Sequence, residues 1–422
     1  MRNCIIVSPH FPPSTLAGVH RARHLAKHLP AHGWEATVIA VNPVHHVEAK
    51  DPELRGLVPA STKIVETGSI SARWTAPFGI KGEIGLRAFF HLRAAIARQI
   101  KAKRPEVILI TGSPFYPMLL AGWIRRRFAV PVVLDFQDPW VSKEGANRKR
   151  WTKGWLAHRL AVALEPRAVS GASWITSVSQ VQNADLAERY AWLEPLRMSA
   201  IPIGGDPSDF DALRGQSAPN SAQEIEFSYV GTALPRADPL LAMLFAGLKR
   251  LRDTAPDLAR RVRLRFVGTS NQPGASGNYR VLPLAQKAGV ADLVVEEPGR
   301  VPYLEALRIL ANTHGVLMIG SDEPHYTASK IYPALMSCRP WLSIFHEASS
   351  AHAILSGAGG GIALTLPSNQ DKEALVAAIA NGLIRLCEDP ASLGHADPRA
   401  YAPYTATAIA GQYARIFEGL TA

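Results

Sequence analysis

Residues 323–340 read EPHYTASKIYPALMSCRP and follow the short apolar run VLMIG (316–320). An acid, a histidine, hydroxyls, tyrosines and Lys330 are gathered there, a set suited to holding an anion rather than filling a core. Ser329 is placed to cap a helix, and Pro333 is tolerated only in a helix's first turn, so the helix should begin near Lys330. Lys330 would then project from an N-terminus whose free N–H groups favour phosphate. A second cation, Arg236, lies in YVGTALPRADP (229–239), where a strand passes through Gly231 and Thr232 into a loop and a helix. Two cationic loops at strand ends are the minimal equipment for a diphosphate.

The first half carries related features. In SPHFPPSTLAGVHRAR (8–23) a strand ends in a loop containing Gly18, and the next helix carries Arg21 and Arg23 in its first turn. That pattern offers backbone N–H groups to an anion, but one glycine is not GxGxxG, so a dinucleotide fingerprint is absent. DFQDPW (135–140) closes another strand, and Asp135 and Asp138 are the only acids between Glu106 and Glu144. A carboxylate in such a basic setting should stay ionised, suited to holding sugar hydroxyls; the plainer alternative is that Asp138 caps a turn before Pro139.

These residues are positioned by an alternation of strand and helix signals, the pattern of an α/β fold with parallel sheets. Strands are expected at 3–8, 35–42, 107–111, 131–136, 173–179 and 199–204, with helices at 20–33, 117–128 and 180–190. After the turn-rich stretch GDPSDFDALRGQSAPNSAQE, a second series places strands at 225–231, 262–269, 293–299, 315–321 and 341–345. Its helices fall at 239–253, 282–289, 302–313 and 330–338, and an amphipathic helix is expected over 400–420. The expected organisation is an N-terminal Rossmann-like domain over 1–205, a linker over 206–224 and a C-terminal Rossmann-like domain over 225–395. The final segment, 396–422, would pack back on the first domain. Two such domains facing each other across a cleft make that cleft the default ligand site.

At 422 residues with 47% apolar and 19% charged residues, the chain has the makings of two cores and not of a disordered polymer. No apolar run approaches the roughly 20 residues that cross a bilayer. The first residues, MRNCIIVSPHFPP, lead directly into a strand, and a secretory signal is not expected. Cys4, Cys338 and Cys387 are scattered, which suits a reducing cytoplasm and neither a disulfide framework nor a metal pattern. The net charge of +11 resides in residues 81–160, which hold 16 Lys/Arg against 5 Asp/Glu. In NRKRWTKGW (147–155) cations alternate with tryptophans, a face suited to an anionic membrane surface, a phosphate-bearing lipid or nucleic acid. Solvated helix faces, with lysine and arginine stems covering apolar surface, are the bland alternative.

Taken in order, the motifs resemble the family-four glycosyltransferases of the GT-B fold. MRNCIIVSPHFPPSTLAGVHRARHLAKHLPAHGWEATVIAV looks like that family's first βαβ unit, and ASWITSVSQ followed by IPIGGDPSDF is similar to its domain junction. ITGSPFYPMLLAGWIRRRFAVPVVLDFQDPW is similar to the segment ending in its acidic motif, YVGTALPRADP and FVGTS to its donor-domain strands, and SKIYPALMSCRPWL to its donor helix. The resemblance covers nearly the whole chain. It implies retaining transfer of a sugar from a nucleoside-diphosphate sugar, with no bound metal and no cofactor besides that donor. It implies catalytic roles for Asp138, Arg236 and Lys330, and donor contacts from Gly18, Arg21, Gly231, Thr232, Glu323, His325, Ser329 and Tyr332. Where the family carries two glutamates eight positions apart, this sequence has His325 and Pro333. The expected acceptor is a lipid-linked or cell-envelope glycan at the cytoplasmic membrane face. Two rival readings stand beside this one: a non-catalytic nucleotide-sugar or glycan binder on the same scaffold, and a nucleic-acid-binding protein.

Overall fold

The computed structural model describes all residues except 78, 194–196, 214–223, 271–277, 322–328 and 367–371. Its contacts divide the chain into two units, residues 1–203 with 406–422, and residues 204–405. The first unit therefore recovers the last 17 residues of the chain.

The first unit is built on a seven-stranded sheet of β1 (Arg2–Val7), β2 (Trp34–Val41), β3 (Lys63–Thr67), β4 (Val107–Gly112), β5 (Val132–Phe136), β6 (Trp174–Ser177) and β7 (Met198–Ala200). The strand order is 3-2-1-4-5-6-7 and every pairing is parallel. The order reverses beside β1, the arrangement that opens a crevice at the carboxyl ends of neighbouring strands. Sheet faces covered by helices need strands apolar on both sides, and β4 and β5 are buried at every position. On one face the helix Ala406–Thr421 inserts Ile409, Tyr413 and Phe417 among Leu25, Leu29 and Trp34. Trp34 and Phe417 meet edge to face with centroids 5.3 Å apart.

The second unit repeats the design with β8 (Ile225–Val230), β9 (Val262–Val267), β10 (Val294–Glu297), β11 (Gly315–Ile319), β12 (Trp341–His346) and β13 (Gly361–Leu366). Their order is 10-9-8-11-12-13, again parallel throughout. The helices Asp238–Thr254 and Lys372–Glu388 close one face through Leu244, Leu248, Ile379 and Leu383, packed on Phe227, Leu264 and Phe266.

Both units thus show the α/β class and the Rossmann-like layering expected from the sequence. The differences lie at sheet margins, in the linker and in helices that were not placed, among them Lys153–Gly171, Ser350–Ala358 and Lys372–Glu388. β3 and β13 were not anticipated, and the stretch read as a connection begins with two ordered 3₁₀ turns, Pro207–Asp209 and Asp211–Leu213. Asp206 caps the first of them, accepting from the Ser208 N–H at 3.1 Å.

Candidate functional site

In the second unit, β8 and β11 are neighbours, so the segments leaving their carboxyl ends meet. The Lys330 ammonium donates to the Tyr229 hydroxyl at 2.6 Å and to the Thr232 carbonyl at 3.0 Å, and it lies 4.5 Å from the Tyr229 ring centroid. Tyr229 in turn donates to the Thr232 carbonyl at 3.0 Å. Burial pushes its phenol well above the ordinary range, so at neutral pH it is a neutral partner. Between Tyr229 and Thr232 stands Gly231, with φ 133° and a position where a Cβ would come within 2.8 Å of Lys330 Nζ. The backbone conformation demands glycine there, and an added Cβ would displace the end of the lysine side chain. Lys330, Gly231 and Thr232, three sequence-selected residues, are therefore in one cluster, and Tyr229 is the partner that was missed. Its signal was a tyrosine two residues before the strand-ending glycine. Arg236 follows four residues after Thr232, half-buried in the 3₁₀ turn Pro235–Ala237.

Three expectations for this segment change. The helix runs only from Ile331 to Met336, with Lys330 at its N-cap and no side chain capping it, so Ser329 is exposed and does not cap. A six-residue helix supplies little dipole, so the charge this segment offers is the Lys330 ammonium itself. Tyr332 is 1% exposed and packs on Tyr404 at 5.2 Å between centroids, so its ring fills core instead of reaching a donor. Glu323 and His325 lie outside the described residues.

In the first unit, Gly18 is the N-cap of the helix Val19–His28. Its carbonyl accepts from Gln137 Nε2 at 3.3 Å. The Val19 and His20 N–H groups donate to the Leu16 and Ala17 carbonyls at 3.2 and 3.3 Å, so these donors are already engaged. Arg21, expected to face an anion, is turned inward: its guanidinium pairs with Asp135 and donates to the carbonyls of Ile201 and Pro202 at 2.5 and 2.9 Å. Asp135 also accepts from Thr176 Oγ1 at 2.9 Å and from the Tyr413 hydroxyl at 2.8 Å. This buried network joins three strand ends to the last helix, and Asp135 is the acid that holds it together.

Asp138 sits three residues further on, at the surface. Protein packed around it strips away enough water to raise its carboxyl above the ordinary range. The sequence reading had the neighbouring cations favouring ionisation; desolvation is the cause that governs.

A second polar cluster in this unit had no assigned role. His10, in the loop after β1, and His46 and Glu48, in the segment after β2, converge on one carboxylate oxygen. His10 Nδ1 lies 2.7 Å from Glu48 Oε1, Ser14 donates to the same oxygen at 2.6 Å, and His46 Nδ1 faces it at 3.2 Å.

On the basic window, the helix Lys153–Gly171 exposes Leu156, Leu160 and Val162, and Trp151 just before it is 81% exposed. Arg148, Lys149, Arg150, Lys153 and Arg159 stand exposed around them. Among the described residues no helix is long and apolar enough to cross a membrane.

Comparison with known proteins gives a consistent picture. Residues 17–204 match the family model described as a glycosyl transferase 4-like domain. No curated protein sequence matches the chain. Among solved structures, the N-terminal domain of Candida albicans trehalose-6-phosphate phosphatase is similar over 100% of this chain and 97% of its own, with a TM-score of 0.64 at 13% identity. A UDP-forming trehalose-phosphate synthase from Burkholderia xenovorans matches over 100% of both chains, with a TM-score of 0.59 at 13% identity. A structure described as trehalose-6-phosphate from E. coli bound with UDP-2-fluoro glucose matches over 99% of both chains at 10% identity and a TM-score of 0.60. At these identities the likeness is one of fold, and the fold is GT-B.

Proposed function

From the match of residues 17–204 to the glycosyl transferase 4-like domain, we propose that the chain transfers a sugar from a nucleoside-diphosphate sugar to a glycan acceptor with retention of configuration. That match supports glycosyl transfer in preference to nucleic-acid binding. The observation that carries the donor assignment is the seating of Lys330 against Gly231. An ammonium from the segment after β11, fixed by two neutral oxygens at the end of β8 beside a residue without side chain, is preorganised for a diphosphate that must approach closely.

In this reading the second unit binds the donor. Lys330 and Arg236 stabilise the negative charge that grows on the leaving diphosphate as the glycosidic bond breaks. Preorganised charges of this kind lower a barrier by several kcal/mol, about 3–4 for a single donor. No metal is assigned to the diphosphate, because the two cations supply the neutralisation. Front-face transfer needs no protein nucleophile, and the diphosphate oxygen released on that face takes the acceptor proton. Asp138 accepts hydrogen bonds from sugar hydroxyls in the first unit. The basic, tryptophan-bearing start of the helix Lys153–Gly171 supports a lipid-linked glycan acceptor held at an anionic membrane.

Incubation with UDP-, GDP- and ADP-sugars, with release of the nucleoside diphosphate as readout, tests the reading. Slow hydrolytic release from one donor, abolished in Lys330→Ala, is the expected result. Saturable binding of a donor without release in the presence of glycan acceptors would instead make the chain a nucleotide-sugar binder.

A further inference from the structure

We propose that His10, His46 and Glu48 form a binding site for one divalent transition-metal cation of the zinc class, at the carboxyl ends of β1 and β2 in the first unit. The chemistry of the set comes first. Two imidazole nitrogens and one carboxylate oxygen make up the three-ligand complement of open zinc sites, and imidazole selects against magnesium and calcium. The three ligand atoms lie within 4.8 Å of one another.

His46 is the observation that separates a metal site from an ordinary hydrogen-bonded cluster. Its side chain is fully buried, and neither ring nitrogen makes a geometrically sound hydrogen bond. The Val41 carbonyl lends it only a weak polar contact. A buried imidazole in that condition has given up its hydration with no hydrogen bond in return. A hydrogen-bonded Glu48 satisfies His10 and Ser14 and leaves His46 without a purpose; a cation among the three uses its Nδ1 as well.

The distances agree with that use. Ligands 2.0–2.1 Å from a tetrahedral zinc are about 3.3 Å apart. His46 Nδ1 and Glu48 Oε1 stand at 3.2 Å without hydrogen-bond geometry, while His10 Nδ1, now at 2.7 Å, would withdraw by roughly half an ångström. The Ser14 hydroxyl then remains on the carboxylate as the outer partner that orients it.

The backbone around the ligands is also fixed. Asp51 N–H donates to the Pro13 carbonyl at 2.7 Å, Thr15 N–H to the Ala49 carbonyl at 3.3 Å, and Ser14 bridges Lys50 in antiparallel fashion. The two ligand-bearing segments are thus zipped together before any cation arrives, and the cation would clip the loop leading to Gly18 onto the segment after β2.

The test uses metal-stripped full-length protein and reads binding, not turnover, so its outcome is independent of the glycosyltransferase reading. Zn²⁺ is titrated by calorimetry, and Co²⁺ by its visible absorption, which is intense for a tetrahedral site. One equivalent per chain is expected, with a rise in Tm on Zn²⁺ addition. His46→Ala should weaken Zn²⁺ binding by more than about 100-fold, beyond the 10–100-fold cost of losing an outer partner. Glu48→Gln, which keeps shape and hydrogen-bonding capacity if the alanine variant does not fold, should weaken it as much. His395→Ala, at an exposed position in the second unit, should leave it unchanged. Failure of the wild-type protein to bind either ion saturably, or equal affinity in the wild-type protein and Glu48→Gln, would overturn the proposal.

Discussion

The guanidinium of Arg21 and the carboxylate of Asp135 form an ion pair, Nε to Oδ2 3.2 Å, in which neither side chain is exposed. Both charges are further tied down, Arg21 by two carbonyls and Asp135 by two hydroxyls. Removing one partner of such a pair strands the other in a dry interior. Arg21→Ala and Asp135→Ala are therefore each expected to destabilise the protein by about 3–5 kcal/mol. The double variant should lose less than the sum, because the second deletion removes a charge already orphaned. Urea unfolding followed by tryptophan fluorescence measures all three; single variants within the error of wild type would remove the pair from any stabilising role.

Lys330 and Gly231 test the donor assignment from opposite sides. Lys330→Ala should lower the rate of nucleoside diphosphate release by about 100-fold or more, the cost of losing one preorganised charge. Gly231→Ala keeps the lysine but drives a methyl group toward its ammonium and strains a backbone at φ 133°. Activity should fall in that variant too, and a crystal structure should show Lys330 displaced from Thr232. Undiminished turnover in Lys330→Ala would remove the lysine from the mechanism.

Asp138 links stability to activity. Its folded-state pKa is raised, so the folded protein prefers the neutral carboxyl more than the unfolded chain does. Stability from this group is therefore full below the ordinary aspartate range and is lost as pH rises through the raised value. Asp138→Asn, neutral at every pH, should have a higher Tm than wild type at pH 7 and lose that advantage in acid. If Asp138 must be ionised to hold sugar hydroxyls, the same variant should be less active, and the acidic limb of the kcat/KM profile should disappear. Calorimetry across pH measures the first effect and turnover the second; a wild-type Tm for the variant at pH 7 would contradict the raised value.

The membrane reading rests on Trp151, Leu156 and Leu160 standing exposed among cations. Binding to vesicles rich in anionic lipid should be strong at low salt and fall in about 0.5 M salt, where the Debye length shrinks to a few ångströms. Leu156→Glu combined with Leu160→Glu should abolish it without changing Tm, since both side chains already face solvent. Salt-insensitive binding, or none, would leave the charge as a solubility device.

What the sequence made legible follows burial. Strands covered on both faces, such as β4 and β5, wrote themselves as unbroken apolar runs. The two strands that escaped notice, β3 and β13, are both terminal members of their sheets; β13 is half-buried throughout and β3 is exposed or half-buried at all but its last position, so KIVET and GIALTL carry little signal. The site divides in the same way. Lys330 and Gly231 were visible because cation and glycine stand at strand ends, whereas the bond from Tyr413 to Asp135 spans 278 residues and no local pattern encodes it. Arg21 misled for a related reason: a first-turn arginine looks the same in sequence whether it faces a ligand or a buried carboxylate.

The return of residues 406–422 to the first unit bears on the order in which the molecule is made. On the ribosome, β1 to β7 are all synthesised before the second unit begins, yet the face that receives Ile409, Tyr413 and Phe417 cannot be covered until the last residues emerge. The second unit, continuous from 204 to 405, has every strand of its sheet in hand earlier. The half of the chain born first should therefore be the half that matures last, and nascent chains released before residue 406 would leave Trp34 and its neighbours open to aggregation or to a chaperone.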